Sequence, residues 1–155
     1  PSSRKPPCLR GDWDVRASTG VPEVSVAGRA VDGDRSTRWG TGEPQRPGQF
    51  FEIDFGEERL LGAIELDLGE FRTDYPRGLR AAVSRDGRSW STVFVREPWL
   101  GEVAWADGFA FHDGGESGRV RIPLGGAAAR WLKLEQTRTT SLYDWSIAEI
   151  CVRGG

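Results

Sequence analysis

The feature that most constrains this chain is a two-residue alternation of apolar and polar side chains that recurs in one short segment after another. Phe51, Ile53 and Phe55 alternate with Glu52 and Asp54, and Ile64, Leu66 and Leu68 with Glu65 and Asp67. Leu79, Ala81 and Val83 repeat the period. So do Val93 and Val95, Val120 and Ile122, Leu132 and Leu134, and finally Ile150 and Val152. Successive side chains of a strand point to opposite faces, so period two marks strands with one face on a core and the other in water. No segment carries the period of an amphipathic helix. The 21 Gly and nine Pro are spread along the chain rather than pooled in a linker. Ser84-Arg85-Asp86-Gly87, ahead of Arg88-Ser89-Trp90, reads as a hairpin turn because Asp-Gly tolerates positive φ. Short, evenly spaced strands with such turns predict an all-β fold, an antiparallel sandwich or barrel.

A length of 155 residues is enough for one hydrophobic core. No internal repeat is visible. Residues 1–7, with Pro1, Pro6 and Pro7, read as a flexible lead-in, and 8–155 as a single domain. The chain contains no Met, so it reads as a module cut from a longer protein. No stretch approaches the length of a membrane-spanning helix. A net charge of -2 lacks the dense basic face that nucleic acid requires. Of the 21 basic residues only Lys5 and Lys133 are lysine. A GC-rich coding sequence explains that bias, yet exposed loop arginines remain candidates for forked contacts to a ligand. Cys8 and Cys151 lie near opposite ends of the chain. The ends of a sandwich are often close together, so a bridge joining first and last strands is geometrically natural; two separate buried thiols are the alternative. A bridge implies an oxidising, extracytoplasmic setting.

Arg29-Ala30-Val31-Asp32-Gly33-Asp34-Arg35-Ser36-Thr37-Arg38-Trp39 is the richest segment in chemistry. Gly33 lets the backbone fold tightly, so that Asp32, Asp34 and Thr37 can converge. Hard oxygens on a tight loop suit calcium, although spacing alone equally fits an Asx-turn on a surface loop. Near the end, Trp145-Ser146-Ile147-Ala148-Glu149-Ile150 sets an acid among apolar residues. Glu149 would be costly to bury without a partner, and a cation shared with the first loop would supply one.

Five segments in order carry a resemblance: Ala30–Trp39, Phe51-Glu52-Ile53-Asp54-Phe55-Gly56, Val83-Ser84-Arg85-Asp86-Gly87 with Trp90, Arg130-Trp131-Leu132-Lys133-Leu134, and Ser146–Ile150. Together they resemble the discoidin superfamily, the coagulation-factor type C domains, and within it the family-32 carbohydrate-binding modules. The resemblance implies an eight-stranded jelly-roll sandwich and a terminal disulfide. It also implies a structural calcium site formed by the side chains of Asp32 and Glu149, oxygens of Asp34 and Thr37, and the carbonyls of Arg29 and Ala148. Trp39, Trp90, Trp131 and Trp145 lie in or beside these motifs and are expected in the core.

Ligands of such modules are bound by loops at one end of the sandwich, where an aromatic face stacks on a pyranose and forked polar groups read its hydroxyls. Arg72 matches the position of the family's arginine. The expected Asn is absent, with Arg77 nearby, and Gly40 stands where a His often follows the first tryptophan. Galactose-type specificity is therefore not implied. The loop Glu70–Gly78 offers Arg72, Asp74, Tyr75 and Arg77; the alternative is a Pro-stiffened connection whose Tyr75 packs down and whose Asp74 pairs with an Arg. Arg138–Asp144 adds Tyr143 and Asp144, and Glu43–Gln49 is a candidate wall. The expected partners are a carbohydrate and other domains of a parent chain. A protein- or lipid-surface domain is the second reading, with Pro98-Trp99-Leu100 as an apolar spike, although Glu97 and Glu102 would repel anionic lipid. Trp99 and Trp105 are either exposed or cover the sandwich. One His and no nucleophile–base pair leave no basis for an enzyme.

Overall fold

The computed structural model describes residues 7–18, 20–23, 25–99, 102–106, 108–113 and 118–155, with the backbone alone for 102–106 and 109–113. Among these residues ten strands form: β1 Asp14–Ala17, β2 Trp39–Pro44, β3 Phe50–Asp67, β4 Leu79–Ser84, β5 Ser91–Arg96, β6 Glu102–Ala106, β7 Phe109–Asp113, β8 Arg119–Gln136, β9 Asp144–Ile147 and β10 Glu149–Gly154. The helical content among them is two single 3-10 turns, Ala27–Ala30 and Arg72–Asp74. No helix is long and apolar enough to cross a membrane.

The largest sheet runs β1-β3-β8-β4-β5, with β10 also on β3. The antiparallel pair β3–β8, each strand 18 residues long, is its axis. Register shifts between Asp54 and Arg59, and between Leu61 and Ala63, interrupt that pair and give its halves different neighbours. The first half of β3 pairs with β1, from Ala17 opposite Phe51 to Asp14 opposite Asp54. The second half pairs with β10, from Glu149 opposite Asp67 to Gly154 opposite Leu61. The terminal half of β8 carries β4. Two further pairs, β2–β9 and β6–β7, complete the antiparallel sandwich.

The predicted alternation sorts the faces. Phe51, Ile53, Ile64, Leu66, Leu132, Leu134 and Leu79 are essentially inaccessible. Trp39 stands edge-on to Trp145 at 5.0 Å and to Phe51 at 5.2 Å, the geometry that aligns ring edge with ring face. Trp90 and Trp131 depart from the expected core placement and are only half-buried. Trp131 lies opposite Asp54 and Ser84, on the strand parity opposite to buried Leu132, and its ring sits beside Gly87 and under Arg130. Trp99 covers the sandwich, tilted against Phe94 at 5.8 Å, so it is no spike; Leu100 and the Trp105 side chain lie outside the described residues. The Asp86-Gly87 turn forms as expected: Gly87 has φ of 75°, and Asp86 Oδ1 accepts from the amides of Arg88 and Ser89 at 2.8 Å each. Cys8 and Cys151 are bridged across a sequence separation of 143, and Leu9 donates to the Val152 carbonyl at 2.7 Å.

Candidate metal loop and ligand-binding end

The candidate metal loop follows the 3-10 turn that carries Arg29 and meets the start of β10. Gly33, at φ of 78°, turns the chain so that its amide donates to Glu149 Oε2 at 3.1 Å. The Thr37 hydroxyl donates to Asp32 Oδ2 and contacts the Asp34 carbonyl at 3.0 Å. The Asp34 carboxylate turns away and accepts from the amide and hydroxyl of Ser36 at 2.9 and 2.6 Å, which leaves its main-chain oxygen on the Thr37 side. Ala148 precedes Glu149 and is anchored by its amide to the Asp67 carbonyl at 2.8 Å. Partial burial, with the nearby Asp32 carboxylate, pushes the Glu149 carboxyl up to about 7 against the pull of the Gly33 amide and Arg10. Two adjacent carboxylates that repel each other fit a cation between them. Among the described residues no cluster of three or more His, Cys, Asp or Glu is gathered, so a bound ion would need carbonyl and hydroxyl oxygens as well, which calcium accepts.

The second group of loops is drawn together from within. Gln45, 1% exposed, donates from Nε2 to the carbonyls of Tyr75 at 2.9 Å and Asp144 at 3.1 Å. Its Oε1 accepts from the Arg77 amide and from Gln136 Nε2, both at 2.9 Å. Its main chain exchanges bonds with Tyr143 and Thr140 at 3.1 Å. Asp74, buried, accepts from the Ser146 hydroxyl at 2.6 Å and from Arg38 Nη1 at 3.3 Å. Burial pushes its carboxyl up, and those two donors offset only part of the rise.

Of the six residues expected at the ligand, Asp74 and Tyr75 therefore face inward. Tyr75 is 2% exposed and packs down, with the Arg77 guanidinium over its ring at 3.8 Å, so no face of it is offered to a sugar. This is the alternative reading of the loop, with Arg38 as the partner of Asp74. Arg77 also reaches the Tyr143 ring at 4.9 Å and donates to the Thr73 and Tyr75 carbonyls at 2.6 Å each. Its burial lowers its pKa. Arg72, Tyr143 and Asp144 are half-buried, and Phe71 is 42% exposed beneath Arg38. A cleft of about 430 Å³ separates the Arg35–Arg38 segment from Glu70-Phe71. The Gln45–Gln136 and Asp74–Ser146 pairs were not foreseen: nothing in a lone Gln or Ser marks it as buried.

No curated protein matches the chain in sequence. Among solved structures, chitosan-binding module 1 of a chitosanase/glucanase from Paenibacillus sp. IK-5 shares 22% identity with a TM-score of 0.68, over 91% of this chain and 94% of that one. The CBM32-3 module of a family 31 glycoside hydrolase from Clostridium perfringens shares 20% identity with a TM-score of 0.72, over 92% and 91%. CpGH89CBM32-5 from Clostridium perfringens, solved in complex with GalNAc-β-1,3-galactose, shares 19% identity with a TM-score of 0.69, over 92% and 95%. These likenesses agree with the sandwich described above. The F5/8 type C domain model matches residues 14–150, and the chain belongs to that family, the discoidin domains.

Proposed function

We propose that this domain is a non-catalytic carbohydrate-binding module of a larger extracytoplasmic protein, with calcium as a structural cofactor. The observation that carries the reading is the gathering of the Glu70–Gly78 and Arg138–Asp144 loops around Gln45, which brings Arg77 to Tyr143 and Asp144; Arg72, on the same loop, extends toward Gly118. A planar guanidinium beside an aromatic ring and a carboxylate is the set that reads vicinal hydroxyls and covers a pyranose face. Asp74 and Tyr75 support that end from beneath. The sugar complex of one structural neighbour and the chitosan-binding description of another favour a glycan partner. A single sugar would bind at the millimolar level, about -4 kcal/mol, and tethering within a parent chain would raise the effective affinity. The disulfide favours the oxidising setting.

Calcium would be held by the Asp32 and Glu149 carboxylates, oxygens of Asp34 and Thr37, and the carbonyls of Arg29 and Ala148. It would supply charge compensation and tie an early loop to the last strand.

A second reading, a protein- or lipid-surface domain, is favoured by Leu142, 77% exposed on the neighbouring loop, and by Phe71. A glycan array probed with the folded domain in calcium separates the two. Reproducible hits on related glycans, lost in Arg72→Ala at unchanged melting temperature, are expected. A blank array from folded protein overturns the carbohydrate reading in favour of the second.

A further inference from the structure

We infer that the module holds an extended, uncharged glycan chain across two subsites, the second being a cleft of about 490 Å³ floored by Phe50. This deepens the carbohydrate reading and rests on it.

Phe50 opens β3 on the outward parity: Phe51 beside it is fully buried, whereas Phe50 is half-buried on the sheet's outer face. Two outward rings are closely capped, Phe71 by Arg38 at 3.2 Å and Trp131 by Arg130 at 4.3 Å. Phe50 is held more loosely, with Arg16 at 5.6 Å and Lys133 at 5.3 Å from the ring centre, the outer reach of a cation–π contact. The cleft beside the ring is also bare at Gly48, where an added Cβ would meet nothing within 4 Å.

Across the cleft, Glu43 Oε1 accepts from Arg46 Nη2 at 2.8 Å and Nε at 3.2 Å. A carboxylate beside a guanidinium presents acceptor and donors side by side, the pairing that neighbouring sugar hydroxyls require. The surrounding charges are paired: Arg16 with Glu52 at 2.9 Å, Arg46 with Glu43 at 2.8 Å, and Glu135 with both Arg80 and, at 3.9 Å, Lys133. Among the described residues no lone cation is left there to draw a polyanion, so the site suits an uncharged chain. The wall containing Glu43 and Arg46 is continuous with Gln45, whose main chain is bonded to Tyr143 and Thr140. The cleft therefore adjoins the loop that carries Tyr143, and a chain leaving one subsite enters the other along that loop.

The test is a glycan array graded by chain length, from monosaccharides to hexasaccharides of neutral N-acetylated and galactose-type sugars. Wild type is compared with Phe50→Leu, Arg46→Ala and Arg72→Ala, each checked by thermal melting. Arg46 is an exposed side chain, so its variant remains informative where Phe50→Leu unfolds. The expected result is wild-type affinity that rises with length and a loss of about tenfold for the longer chains in the first two variants. Short-ligand binding persists in both and disappears in Arg72→Ala. Wild-type binding with no length dependence, or the same length dependence in Phe50→Leu and Arg46→Ala, overturns the second subsite alone. A blank array from folded wild type overturns the carbohydrate reading and the subsite with it.

Discussion

Gln45 holds the candidate ligand-binding end together from within. Buried, it bonds Tyr75, Asp144, Arg77 and Gln136 through one side-chain amide. Replacing it by Leu would strand the Arg77 amide and Gln136 Nε2 in an apolar setting, and an unmet buried donor costs on the order of 1–3 kcal/mol. Gln45→Leu is expected to lower unfolding free energy by about 2–4 kcal/mol in urea titration. Glu149 is the other residue whose surroundings set an outcome. Its carboxyl is held up to about 7, above the ordinary 4.5. Between those values the native state binds the proton that the unfolded chain releases, so stability falls as pH rises through the window and levels off above it. Melting temperature in EDTA is expected to drop from pH about 4.5 to about 7. Calcium is expected to reverse the drop, because it takes the ionised form. Glu149→Gln is expected to flatten the EDTA profile and to lose the stabilisation by calcium; a profile shared by wild type and variant would show that Glu149 is not its source.

At the scale of elements, the strands were legible because one face of each is buried, and burial writes period two into the sequence. Residues 50–55 and 64–68 read as separate strands, and the structure joins them in β3. The intervening Gly56-Glu57-Glu58-Arg59-Leu60 has no alternation to read: Gly56 sits at φ of 81°, and the register with β8 slips between Asp54 and Arg59. The meeting of the Asp32–Thr37 loop with Glu149 was legible because Asp-Gly-Asp and an isolated acid in an apolar run are local patterns. The supports of the ligand end were not, since Gln45 and Gln136 lie 91 residues apart and meet only through the fold. A second bulge, between Leu61 and Ala63, makes its own prediction. A Cβ on Gly62 would stand 2.5 Å from the Gly154 carbonyl oxygen and 3.1 Å from the Gly155 Cα, backbone atoms that cannot rotate aside. Gly62→Ala is expected to cost about 1–3 kcal/mol, as overpacking does, and to raise amide exchange in β10 before the rest of the sheet.

For the whole molecule, the question is what keeps the two ends of the chain on one sandwich. β10 takes the second half of β3, and the segment around Cys8 adds only an isolated bridge to Arg153 and the Leu9–Val152 bond. The chain that follows is seated by β1 on the first half of β3 and by Trp13 edge-on to Phe55 at 5.0 Å, and the disulfide ties the Cys8 segment to β10. Its 143-residue separation makes the closed loop nearly the entire domain. In the chain-entropy description, constraining an unfolded loop of that length is worth about 5 kcal/mol, with the native fold unchanged. For a domain of this size each kcal/mol moves the midpoint by about 2–4 °C, so Cys8→Ser with Cys151→Ser is expected to melt about 10–20 °C below wild type. Because the loss acts on the unfolded chain, the reduced domain should keep its sandwich well below its own midpoint and retain its response to calcium. A double variant that melts with wild type would mean that β10 and the Cys8 segment are held by the sheet alone, and that the bridge marks only the compartment in which the chain folds.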